Sequence, residues 1–139
     1  MPNWCNNRVE IYGEDPDQIK EVKKTLAGKK TCFDFNNIVP MPEHIYQSAH
    51  NSNPLRLVNK EHVGVVDDDW YDWCCENWDT KWNSYEASLE EEGEENLRYE
   101  FLTAWAPPQN VIIELREKFP KLSITAFYDE PGMETAGYY

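Results

Sequence analysis

The stretch from Leu97 to Tyr128, LRYEFLTAWAPPQNVIIELREKFPKLSITAFY, decides the fold. Leu97–Trp105 alternates apolar with polar residues over much of its length and is bounded by turn formers, which reads as a strand. Pro107-Pro108 then opens a helix, because proline is tolerated in the first turn, where its missing N–H costs nothing. Val111, Ile112, Leu115 and Phe119 fall on one helical face, and Pro120 stops the helix behind Phe119. Leu122–Tyr128 alternates again and reads as a second strand.

Working outward, Ser84–Leu89 pairs with Leu97–Trp105 as a hairpin around the acidic turn Glu90–Asn96. Near the start of the chain, Arg8–Gly13 alternates with Val9 and Ile11 on the core face. Asp15-Pro16-Asp17-Gln18 then supplies an N-cap, a first-turn proline and a capping-box Gln. That helix buries Ile19, Val22 and Leu26, and Gly28 ends it. Thr31-Cys32-Phe33-Asp34-Phe35 is a short strand candidate. The order strand, helix, strand, large insertion, strand, helix, strand is the ferredoxin-like split βαβ pattern of an α+β protein. Two helices are expected on one face of an antiparallel sheet. An insertion over about residues 37–96 would add a Trp-rich helix and an extra hairpin strand. A chain of 139 residues falls well below the length, about 250 residues, at which cores split, so 1–139 reads as one domain.

Charge narrows the partners. Twenty-six acidic residues against 13 basic ones leave a net charge of −13, which repels phosphates and anionic lipid. Nucleic acid is therefore disfavoured, and a protein partner with a basic surface is favoured; simple solubility is the plainer reading of the same charge. Met1–Asn7 contains neither a charged leader nor an apolar run, so no membrane association is expected and the cytoplasm is the expected compartment. Cys5, Cys32, Cys74 and Cys75 include an adjacent pair and no repeated spacing, so free thiols are expected.

Asn37–Pro42 carries two prolines and begins an irregular excursion to about Val66 that holds His44, His50 and His62. Between Asp67 and Trp82, residues Trp70, Trp73, Cys74, Trp78 and Trp82 recur at helical spacing. Such rings either pack as core or anchor an interface. Asn77, Thr80, Lys81 and Asn83 stand among them as a candidate polar site, with helix termination as the alternative. Asp67-Asp68-Asp69 with Asp72 imitates a run of phosphates or is simply a solvated surface. It lacks the alternating ligands of a calcium loop, and no Cys-x-x-Cys spacing or Gly-rich phosphate loop occurs. No metal and no cofactor are expected.

Several segments carry a likeness: Met1-Pro2-Asn3-Trp4-Cys5-Asn6-Asn7, Ile38–Pro42, Glu76–Asn83, Phe101–Pro108, Phe119-Pro120 and Tyr128–Gly132. Together they resemble the YubB-like family of phages and plasmids, which implies a ferredoxin-like domain without an assigned activity. That family usually has Gly where Asp79 stands. Its members commonly run on past the position of Tyr139, which implies a shortened sheet edge. The resemblance also implies an accessory protein that docks on a host protein and blunts host defence.

The leading expectation is a non-enzymatic acidic binding module that docks on a host protein, including on a nucleic-acid-binding surface. Its contacts would come from Asp67, Asp68, Asp69, Trp70, Trp73, Asn77, Trp78, Thr80, Lys81, Trp82 and Asn83. One alternative is a single-stranded nucleic-acid binder that stacks bases on Tyr99, Phe101, Trp105, Phe127 and Tyr128. The other is an enzyme using His44, His50, His62, Asn77 and Lys81 in the insertion cleft.

Overall fold

The computed structural model describes residues 3–45 and 70–139. Strand β1 (Trp4–Tyr12) starts four residues before Arg8, because the alternation already holds from Trp4: Cys5, Asn7, Val9 and Ile11 all turn into the core. It is the central strand. Its register runs antiparallel from Trp4 opposite Ala104 to Tyr12 opposite Asn96 on β3 (Asn96–Ala104). On its other side it runs from Asn6 opposite Asp129 to Tyr12 opposite Ser123 on β4 (Ser123–Glu130). With β2 (Tyr85–Glu92) and β5 (Thr135–Tyr138), the sheet order is β2-β3-β1-β4-β5.

Helices α1 (Pro16–Leu26) and α3 (Gln109–Lys118) follow the strands as their sequence signals require. Asp15 caps α1 by accepting the Asp17 N–H at 3.0 Å. Ile19, Val22 and Leu26 from α1, with Val111, Ile112 and Leu115 from α3, join Val9, Ile11, Leu97, Tyr99, Phe101, Ile124 and Ala126 of the sheet in one buried cluster. The helices thus cover one face, and the architecture is the ferredoxin-like α+β sheet expected from the sequence.

Two strand assignments change. Thr31–Phe35 forms no strand: Asp34 accepts the Asn36 N–H at 3.0 Å and starts the short 3-10 turn Phe35–Asn37. A local side-chain bond of this kind takes the backbone out of reach of a ladder. Phe33 and Phe35 are nonetheless fully buried, with the Phe33 ring 4.7 Å from Phe101 and 5.2 Å from Tyr99. Their one-in, one-out spacing imitates strand periodicity. The hairpin strand read as an addition is therefore the regular second strand, β2. The additional strand is β5, which follows the 3-10 turn Pro131–Met133 and, at four residues long, is too short for its alternation to register.

The Trp-rich helix α2 covers Trp70–Asn77 and ends five residues short of the expected Trp82. Asp79 has φ 66°, in the left-handed region that stops a helix and that Gly adopts without cost. This is the position where the resembling family usually carries Gly. Asp67, Asp68, Asp69, His50 and His62 lie outside the described residues. Among the described residues no helix is long and apolar enough to cross a membrane.

Candidate functional site

The segment Asn77–Ser84 crosses the end of the sheet where β1 and β2 begin and β3 ends. Four of its side chains are spent on holding it there. Trp78 is buried, its Nε1 donates to Val39 O at 2.9 Å, and its ring meets Phe35 and Trp73 edge-on at 5.5 and 5.3 Å. Buried Thr80 donates to Ala104 O at 2.9 Å. Asn77 donates to Trp73 O at 2.9 Å, and its own carbonyl accepts from the Asn110 side chain at 2.6 Å. Asn83 Oδ1 accepts the Phe35 and Ser84 N–H groups, while its Nδ2 donates to Asp34 Oδ1 at 2.9 Å. Asn77, Thr80 and Asn83 thus direct these bonds at protein atoms, as the helix-termination reading expects.

What the segment presents outward, besides Asp79, is Trp82 with half-buried Lys81 beside it. The Lys81 ammonium lies 4.3 Å from the Trp82 ring centroid and 5.8 Å from that of Tyr71. Trp82 tilts against Trp4 at 6.0 Å, and Trp4 stacks on Tyr85 at 5.0 Å with planes 14° apart. Tyr71, Trp82, Tyr85 and Trp105 are all exposed. Trp105, at φ 72°, joins this end through its N–H to Asn3 O. Exposed Asp72, Glu76 and Glu86 flank the rings. Trp70 and Trp73 are half-buried against the core.

Beside these rings a groove of about 1080 Å3 opens between the chain leaving α1 and the α2 to β2 segment. Lys29 and Lys30 line it from the chain leaving α1, and Trp70, Trp78, Lys81 and Trp82 from the α2 to β2 segment. Asp34, Asn36 and Asn83 also line it.

Residues 77–139 match the family model described as a ferredoxin-like domain in Api92-like protein. The matched span begins at Asn77 and takes in the end-crossing segment with β2, β3, α3, β4 and β5. The whole chain is also similar to the crystal structure of protein api92 from Yersinia pseudotuberculosis. The two align with a TM-score of 0.57 at 13% identity, over 99% of this chain and 93% of that one. At that identity the likeness shows the fold alone. No curated protein matches the chain. The ferredoxin-like part of the resemblance drawn from the sequence is what these matches bear out; they name the Api92-like domain, not the YubB-like one.

Sequence reasoning missed a buried polar group at the same end, on the helix-covered face. Asn7 Nδ2 donates to Thr103 Oγ1 at 2.9 Å and to Cys5 O at 3.1 Å, and its Oδ1 accepts from Tyr139 OH at 2.8 Å. Thr103 Oγ1 in turn donates to Ala106 O at 2.7 Å. Burial pushes the Cys5 thiol up to about 11, aided by the Glu130 and Asp129 charges, and burial also raises the Tyr139 hydroxyl. Buried Glu130 accepts the Met133 N–H through Oε2. One signal was available: the segments Asn3–Asn7, Phe101–Pro108 and Tyr128–Gly132 all converge here.

The sheet-aromatic alternative loses two of its rings, because Tyr99 and Phe101 point into the core and are 1% and 3% exposed. Phe127 lies on the open face under the Arg8 guanidinium, 5.3 Å away, while Tyr128 pairs with Tyr139. Of the three histidines only His44 is described, and it is exposed. All four cysteines are free, and no group of three metal-ligating side chains occurs among the described residues.

Proposed function

We propose that the chain is a non-enzymatic binding module that docks on a protein with a basic surface. Its anchor is the aromatic end formed by Trp4, Trp82 and Tyr85, with Tyr71 and Trp105. The carrying observation is that exposed Tyr71, Trp82 and Tyr85 are joined in one continuous stack through half-buried Lys81 and Trp4. Large rings held rigidly at a surface and flanked by charge are the usual hot spots of interfaces. The flanking carboxylates and the net charge of −13 favour a cationic partner and fast association. The phage or plasmid setting, a host protein as target and the blunting of host defence extend this reading through the YubB-like resemblance.

The test compares wild type with Trp82→Ala and Tyr85→Ala as immobilised baits, each variant checked by thermal melting. A stoichiometric partner should be retained by wild type and shed in high salt. Each substitution should cost about 2 kcal/mol or more of affinity, with melting unchanged. Recovery of no stoichiometric partner, or equal retention by both variants, would overturn the reading.

A further inference from the structure

The groove between the α1 exit and α2 has a charge opposite to that of the chain. Three lysines, Lys29, Lys30 and Lys81, line it against two carboxylates, Asp34 and Glu43. The Asp34 carboxylate is already engaged, accepting from Asn83 Nδ2 and the Asn36 N–H through Oδ1. Elsewhere Arg8 pairs with Glu10, Lys23 with Glu92 and Arg98 with Glu91, while Lys20, Lys24, Lys118 and Lys121 stand apart from the groove. Lys29 and Lys30 have no ion-pair partner among the described residues, although the chain carries 26 acidic side chains to choose from. Like charges gathered in a concave site repel one another and focus a positive field, which suits an anion of more than one charge.

Trp70 and Trp82 add indole rings to the lining, and Asn36 adds an amide donor. Asn36 Oδ1 accepts the Met41 N–H at 3.1 Å, which leaves its Nδ2 without a partner among the described residues. Lysine ammonium groups, tryptophan faces and an amide donor together are the complement of a phosphate joined to an aromatic base.

We infer that this groove binds a free nucleotide, with the base against Trp82 and the phosphates between Lys29, Lys30 and Lys81. Lys81 rests on the Trp82 ring face. Binding exchanges that contact: the ammonium moves to the phosphates and the ring face passes to the base. This goes beyond the docking function and does not depend on it, since Lys29 and Lys30 lie outside the aromatic anchor and Tyr85 does not line the groove.

Isothermal titration of the whole chain with ADP, adenosine, inorganic pyrophosphate and a short mixed-sequence single strand tests it. ADP should saturate one site, with adenosine and pyrophosphate each weaker by about tenfold or more. The Lys29→Gln, Lys30→Gln double variant, which alters two exposed side chains, should weaken ADP by about tenfold at an unchanged melting temperature. Trp82→Leu should weaken ADP and leave pyrophosphate unaffected, and Tyr85→Ala should leave ADP unaffected whether or not it abolishes partner docking. Absence of saturable ADP binding at millimolar concentration overturns the proposal. So does a double variant that binds like wild type, or a single strand that binds about tenfold more tightly than ADP.

Discussion

Cys5 sits fully buried on the central strand, where desolvation raises its pKa from 9.0 to about 11. The consequence for stability follows from which state ionises first. Between those values an unfolded chain has released the thiol proton and the folded chain has kept it, so stability present below pH 9 is lost as pH rises toward 11. Tyr99 and Tyr139, both raised by burial from 10.0, extend the loss to higher pH. The melting temperature should therefore be level up to about pH 9 and then fall, and the fall just above pH 9 should be shallower in Cys5→Ala. Equal slopes for the two proteins would contradict the assignment. Single residues were read unevenly from sequence. Ile19, Val22, Leu26, Val111, Ile112, Leu115 and Phe119 are all buried as their spacing requires. Asn7 shares β1's inward parity with Cys5, Val9 and Ile11, but an amide in that register gives no sign that Thr103 and Tyr139 wait to satisfy it.

At the scale of elements, α3 begins without a side-chain cap of its own, because Pro108 stands in the N-cap position. Asp79 supplies the missing acceptor from the far side of the end-crossing segment, taking the Asn110 N–H at 2.8 Å. A carboxylate at a helix N-terminus also meets the positive end of the macrodipole. This gain explains why an aspartate stands at φ 66°, a conformation that costs non-glycine residues about 1–2 kcal/mol. Asp79→Ala keeps the strain and loses the cap, so denaturant unfolding should show a loss of about 1–2 kcal/mol. Asp79→Gly loses the cap but relieves the backbone, and its loss should be smaller. An alanine variant as stable as wild type would show the bond contributes nothing. The cap was illegible in sequence because its partners are 31 positions apart. The helices α1 and α3 were legible because prolines, Gly28 and apolar spacing all act locally. Phe33 and Phe35 misled because two buried rings separated by one residue occur equally in a strand and in a capped turn.

Across the whole molecule, 26 acidic against 13 basic residues make self-repulsion the leading long-range term. The ion pairs that oppose it among the described residues, Arg8 with Glu10, Lys23 with Glu92 and Arg98 with Glu91, lie at the surface, where such pairs contribute about 0–1 kcal/mol. Screening should therefore relieve more repulsion than it removes attraction. The melting temperature should rise between about 10 mM and 150 mM salt, over which the screening length shortens from about 30 Å to 8 Å. A fall would mean that the pairs outweigh the net charge.

Thr31, Asp34, Asn83 and Ser84 are joined across about fifty positions: Asn83 bonds to Asp34 at 2.9 Å, and the Thr31 and Ser84 hydroxyls meet at 2.9 Å. These bonds act as a clasp that fixes the chain entering β2 to the chain that follows α1. All four residues also line the groove, so the clasp sets how its two sides stand relative to one another.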